Sequence, residues 1–211
     1  MSTDFVRPVT VAVTGTHSTG KSTFLRQVAE QLHRDRVEVA VVADLGAEAL
    51  EHGLPILQDH TWASTLWIVS RGMSLEVQAW TGADVVLVDR PVADALAYYE
   101  AALEFRGEQP DPVSIEQLEQ LAARHTRHYD LVLRTVLDPR IPLDLSKPRG
   151  ADPQFRSLAD RHIAKVLERL GIGHELLPSD GHDRALAEVT AFIHGGLDVW
   201  PTRTTIADHK A

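Results

Sequence analysis

Eight consecutive residues carry the most specific chemistry in this sequence. Gly15-Thr16-His17-Ser18-Thr19-Gly20-Lys21-Ser22 fits the pattern G-x-x-x-x-G-K-[ST] at every fixed position. The residue types suit a polyphosphate. Glycines let the backbone turn so that successive N–H groups point at one anion, and a helix opening behind them adds its positive end. Lys21 brings a mobile point charge to the β- and γ-phosphates. Ser22 offers a hydroxyl to a magnesium ion, and Thr23 reaches the α-phosphate. Such a match arises by chance in roughly one sequence in a hundred of this length. Here it also follows an apolar run and opens a helical one, as the mechanism requires. Gly15 to Thr23 are therefore read as the binding set for ATP with Mg2+; ATP is the default, and GTP is left open.

Other residues fall where they could complete such a site. Val85-Val86-Leu87-Val88-Asp89-Arg90-Pro91 places an acid at the end of an apolar strand, where it can hold the water shell of the magnesium. Ser22 and Asp89 are thus the metal-side residues. Asp44 ends a second apolar run and is either a proton acceptor or the cap of the helix that follows. Glu48 is the alternative acid. The segment from Asp138 to Gly150 (DPRIPLDLSKPRG) has too many prolines for regular structure and is rich in basic residues. Arg71 and Glu76 lie on a long helical stretch and are candidates for an acceptor pocket. His125 and His128 read as surface residues near a helix end. No H-E-x-x-H spacing occurs, and Ser18 and Thr19 lack the histidine–acid context of a hydrolase.

The elements that must position these groups alternate between short β-branched runs and longer helical ones, which argues for a parallel sheet wrapped by helices. Strands are expected at Val9 to Thr14, Val37 to Ala43, Val85 to Val88, Leu131 to Val136 and His174 to Leu177. Helices are expected at Lys21 to Arg34, Leu45 to Leu50, Val92 to Phe105, Val113 to His125, Pro153 to Leu170 and Asp183 to His194. The longest helix carries Trp62, Leu66, Val69, Met73, Val77 and Trp80 at intervals of three or four, a stripe expected to face the core. Asp152-Pro153 reads as a helix start, with Asp as cap and Pro in the first turn. Residues 1–195 form one expected domain, with an irregular segment at about 138–156. Residues 196–211 are polar and aperiodic, and read as a flexible tail.

Composition narrows the classes. The 211 residues are 44% hydrophobic and 24% charged, ordinary for a chain that buries one sizeable core. A net charge of -9 opposes approach to nucleic acid or an anionic membrane, so any anionic ligand must be drawn in by local cations. With no cysteine, disulfides, zinc–cysteine sites and thiol catalysis are excluded. No apolar stretch is long enough to span a bilayer, and a cytoplasmic protein is expected.

On the phosphate loop, the Asp89-Arg90 pair, the acid after the second strand and the later basic segment, the chain resembles the small P-loop kinases of nucleosides and nucleotides. In layout it is most similar to the ribosylnicotinamide kinase domain of the bacterial NadR type. Thymidylate and deoxynucleoside kinases are more distant. The resemblance runs from about Val9 to Phe192. It implies a three-layer α/β/α P-loop NTPase fold, with a five-stranded parallel sheet of order 2-3-1-4-5 and the ligand at its carboxyl edge. It implies that Arg90 contacts substrate or transferring phosphate, and that Asp44 lies near the substrate hydroxyl. It also implies a lid over the phosphates, with Lys147, Arg149 and Arg156 on it and on the helix after it. The catalytic set by this reading is Lys21, Asp44, Asp89, Arg90, Arg149 and Arg156. In one respect the chain departs: the NadR-like pattern often has an arginine shortly after the Asp44 position, where this chain has Ala47 and Ala49. That weakens any transfer of substrate identity.

The expected function is ATP- and magnesium-dependent phosphoryl transfer to a nucleoside, nucleotide or related metabolite. The partner is then a small-molecule acceptor, not nucleic acid or membrane, and a homodimer is left open. The alternatives are a P-loop ATPase or nucleotide switch acting through a partner protein, or a kinase homologue that binds nucleotide without transferring phosphate.

Overall fold

The first strand, β1 (Val9–Thr14), is buried along its whole length, as a strand must be when it has neighbours on both edges and helices over both faces. The fold comes from a computed structural model that describes residues 7–137, 152–178 and 181–199. The other strands are β2 (Val39–Val42), β3 (Val85–Asp89), β4 (Leu131–Thr135) and β5 (Glu175–Leu177). They form an all-parallel sheet of order β2-β3-β1-β4-β5, the order expected. Val13 of β1 lies opposite Asp89 of β3, so the phosphate loop and Asp89 emerge side by side at the carboxyl edge. In open α/β sheets that edge is where ligands bind.

Two helical layers enclose the sheet. On one face, α1 (Lys21–Arg34) and α7 (His182–Val199) pack Phe24, Leu25, Leu32, Val189 and Ile193 onto Val11 and Val13. The other face is covered by α3 (Trp62–Ala79), α4 (Val92–Arg106), α5 (Pro112–His125) and α6 (Pro153–Arg169). The short α2 (Gly46–Glu51) follows β2. The arrangement is the three-layer α/β/α sandwich anticipated from the sequence. Within it α4 is special: it is buried from Val92 to Tyr99 without a break. A helix that is apolar all round belongs inside a layer, and α4 is packed by α3, α5 and α6.

Several boundaries move. The second strand is shorter than Val37 to Ala43, and α7 runs to Val199 rather than stopping before Gly195, so residue 196 does not begin the tail. Residues 153–156 belong to the first turn of α6, not to an irregular lid. The stripe expected to bury α3 is rotated. Its buried residues are Ser64, Thr65, Val69, Gly72 and Glu76, whereas Val77 is 48% exposed. The reason is close packing: a Cβ on Gly72 would sit 3.3 Å from Val92 of α4, so small residues face the neighbouring helix. The large side chains of the expected stripe are displaced to its margins.

The start of α6 bears on the phosphate loop, because this helix carries Arg156. Asp152 accepts from the backbone N–H groups of Gln154 (2.8 Å) and Phe155 (3.1 Å), with Pro153 in the first turn. This is the cap read from the sequence. Asp152→Ala is expected to cost about 1 kcal/mol and to lower the melting temperature by about 2–4 °C, read by thermal denaturation.

Candidate functional site

The loop between β1 and α1 is held from three sides. Gly15 has φ 135°, and a Cβ there would lie 2.0 Å from Thr135 Oγ1 at the end of β4. Only glycine fits. Thr135 in turn contacts Thr19 Oγ1 (2.7 Å) and donates to the Thr14 carbonyl (3.2 Å). From α6, Arg156 donates to the carbonyls of His17 (3.2 Å) and Ser18 (3.0 Å). From α4, the Tyr98 hydroxyl accepts from the backbone N–H of His17 (3.1 Å) and contacts its Nδ1 (3.2 Å). With carbonyls of the loop engaged by cations, its remaining N–H groups form the concave, anion-accepting side. Gly20 at the N-cap of α1 is left-handed and makes no side-chain cap bond, so the first N–H groups of the helix are left to a ligand.

Lys21 is buried and donates back across the loop to the Thr16 carbonyl (2.6 Å). Burial, and then the neighbouring Arg90, pull its ammonium down to about 7. Ser22 donates to Asp89 Oδ2 (2.5 Å), while the buried Asp89 Oδ1 has no partner among the described residues. That pairing of a hydroxyl with an under-used carboxylate fits a magnesium ion. No group of three or more His, Asp or Glu residues could hold a metal among the described residues, so such an ion would take its other oxygens from phosphate and water.

Arg90 follows directly, with a left-handed φ of 75°. That turn brings its guanidinium back over the loop. Nε donates to Asp44 Oδ2 (2.8 Å) and Nη1 to the Gly15 carbonyl (3.1 Å); Asp94 lies at 3.7 Å, and the Tyr98 ring lies below at 5.0 Å. Burial disfavours its charge, but Tyr98, Asp44, Asp94 and Asp89 outweigh that and hold its pKa well above the usual value. Asp44 serves two structural ends at once. One oxygen pairs with Arg90, and the other accepts from the Gly46 N–H (2.8 Å) at the start of α2.

Asp94, to which the sequence alone assigns no role, lies beneath the loop. It accepts from Thr14 Oγ1 and more distantly from the Gly15 N–H (3.4 Å), and burial pushes its carboxyl up to about 6 against the pull of Arg90. The available signal is a charge four residues after Arg90 in an otherwise apolar helix start, VADALAYY. Sequence reasoning also misses Thr135 and Tyr98. Arg71 and Glu48 pair with each other at 2.9 Å on the surface, half-exposed, so neither joins the site. Lys147 and Arg149, with most of the expected lid, lie outside the described residues.

Beside the loop a mostly apolar pocket opens between the ends of β2 and β3, α3 and α4. His17, Asp44, Arg90 and Asp94 line its loop side; Val42, Leu45, Ile56, Leu57, Ile68 and Val92 are among its walls. Glu76 also lines it and is 1% exposed. Its carboxylate contacts His125 Nε2 (2.8 Å) and accepts from the Tyr129 hydroxyl (3.1 Å). His125 is thus buried, not the surface residue expected. His60 completes the wall; burial, then Arg106, push its imidazole down to about 3.

A family model described as an AAA domain matches residues 10–184. No curated protein gives a match. Among solved structures, the NadR protein in complex with NR is similar with a TM-score of 0.59 at 16% identity, covering 93% of this chain. The chain spans 52% of that structure's length. Thymidylate kinase from Candida albicans is similar with a TM-score of 0.57 at 14% identity, over 90% of this chain and 92% of its own. At these identities the likeness is one of fold. Among the described residues no helix is long and apolar enough to cross a membrane.

The loop geometry has two measurable consequences. Gly15→Ala should lower ATP affinity by at least ~100-fold, because strain and the clash with Thr135 displace the loop; equilibrium binding measures this. The second concerns Lys21. Bound phosphates favour the ammonium and raise its pKa from about 7. Affinity for MgATP should therefore be level below that value and fall as pH rises above it, with proton uptake on binding. Calorimetry at about pH 8 in buffers of different ionisation enthalpy should show the uptake, and Lys21→Arg should abolish it.

Proposed function

The chain belongs to the AAA-domain family, and from that premise we propose that it is a kinase. It would transfer the γ-phosphoryl group of ATP, with magnesium, to a hydroxyl or phosphate of a nucleoside, nucleotide or related small metabolite. The observation that carries this reading is the apolar pocket opening on His17 of the phosphate loop, with Asp44 and Arg90 at the junction. Such a pocket supports the reading because it would give a second substrate room beside the loop. The fold shared with the NadR protein and thymidylate kinase supports the same reading.

In this proposal the loop N–H groups and the start of α1 hold the β- and γ-phosphates, and Lys21 bridges them as an ammonium ion. Ser22 and Asp89 would hold a magnesium ion, which would supply neutralising charge for the phosphates. The acceptor oxygen attacks the γ-phosphorus from the pocket side as the bond to the β-phosphate oxygen breaks, leaving ADP. Asp44 takes the acceptor's proton late in the transfer. Arg90 orients Asp44 and lies beside the loop, where charge develops. Arg156, docked on the loop carbonyls, adds positive potential near the phosphates. Arg149 is assigned to the lid from the sequence alone. Positioning and electrostatics supply most of the acceleration in such a reaction.

The description of the family as an AAA domain favours a second reading, an ATPase or nucleotide switch whose output is read by a partner. One assay separates the two. ADP release with MgATP is followed across a panel of nucleosides, nucleoside monophosphates and nicotinamide riboside, with Lys21→Ala as blank. Acceptor-dependent release that the blank loses by at least ~100-fold is expected. Asp44→Asn should lower turnover by about 100- to 10,000-fold while keeping ATP binding. Steady release that no acceptor stimulates would instead establish the ATPase.

A further inference from the structure

The polar groups of the pocket are unequal in sign. Asp44, Glu76 and Asp94 bring carboxylates, and Arg90 is the only arginine or lysine among the described residues that line it. That guanidinium is already committed to Asp44 and the Gly15 carbonyl, with Asp94 beside it. His60 is held neutral, with a pKa of about 3. Apart from His17 and Tyr98, the rest of the wall is apolar. A phosphate carried into this space would lose its water and meet carboxylates in return, which is costly. A hydroxyl-bearing molecule without a phosphate meets no such penalty, and a cationic one is favoured.

Glu76 is the group able to read such a molecule. It is buried on α3 and lines the pocket. Its orientation is fixed from outside the pocket: Oε2 contacts His125 Nε2 at the end of α5, and Oε1 accepts from Tyr129, whose oxygen accepts from the Val92 N–H (3.4 Å). Each carboxylate oxygen offers more than one lone pair, so both retain capacity for a further donor. A carboxylate braced by two ring side chains within an apolar wall is suited to selecting a donor, since a molecule lacking one leaves it unsatisfied.

We propose that Glu76 is the specificity-determining residue of the acceptor pocket. It takes a hydrogen bond from an N–H or O–H of a phosphate-free, neutral or cationic small molecule whose hydroxyl faces the loop. The fate of that molecule rests on the kinase reading; its binding does not.

The test is therefore binding, measured by calorimetry alongside ADP release. Adenosine (neutral) and nicotinamide riboside (cationic) are compared with their 5′-monophosphates on the full chain. At least one phosphate-free probe should bind ~10-fold or more tightly than its monophosphate. Glu76→Gln should weaken that probe by ~10-fold or more, with MgATP affinity reporting that the fold is kept. Should Glu76→Gln fail to fold, Ile68→Phe, which adds bulk to the wall without touching Glu76's partners, should weaken the same probe and leave MgATP binding in place. Tighter binding of the monophosphates, unchanged affinity in the variants, or no binding of any of the four probes overturns the inference. Selective binding without acceptor-dependent ADP release would sink the kinase reading alone.

Discussion

The site is organised around one buried guanidinium. Arg90 links four parts of the chain: the loop after β1 through the Gly15 carbonyl and the end of β2 through Asp44, both distant in sequence, its own strand β3, and the adjoining α4 through Asp94 and Tyr98. A non-glycine residue with φ 75° is uncommon and strained. The neighbouring carboxylates over-determine it, since a buried ion set that loses one partner is destabilised by about 3–5 kcal/mol. The strain places the side chain over the loop rather than along the strand. The position of Asp44 follows from this, because its second oxygen is bound to the start of α2.

The loop itself is shaped mainly through its carbonyls. Lys21 and Arg156 hold the carbonyls of Thr16, His17 and Ser18, and Arg90 holds that of Gly15. Each of these bonds comes from a cation, so positive potential is gathered at the loop in a chain whose net charge is -9. Long-range repulsion of anions is thus answered locally. The acid-rich pocket next to it has the opposite character. The phosphate loop and this pocket thus adjoin with contrasting charge.

Much of this is legible in the sequence. The phosphate loop and Asp89 with Arg90 follow from local patterns whose spacing is dictated by chemistry, whereas the sheet order is implied by the resemblance to the P-loop kinases. The residues alone leave Asp44 between proton acceptor and helix cap; in the structure its carboxylate accepts from the Gly46 N–H at the start of α2 and pairs with Arg90. Other features are invisible to periodicity. The first two turns of α4 are buried without a break and show no polar face to set their phase, so periodicity does not single out Asp94 or Tyr98. On α3 the apolar stripe is out of phase with the most buried face, sharing only Val69 with it, because close approach of α4 selects a small residue at Gly72. His125 reads as a surface residue because its partner, Glu76, is far away in sequence. Long-range polar pairs of this kind leave no local trace.

The contact between α1 and α7 bears on how the chain reaches this state. Phe24 and Leu32 on the first helix share a core with Val189 and Ile193 on the last. During synthesis the segment that seals the outer side of the P-loop helix arrives only after all the residues between α1 and α7 have been made. At about 5–20 residues per second that interval is on the order of ten seconds or more. Throughout it, the α7-facing side of α1 and the adjoining face of β1 wait with apolar surface uncovered. The nucleotide-binding half of the molecule is therefore the part most in need of protection from aggregation while the ribosome is still at work.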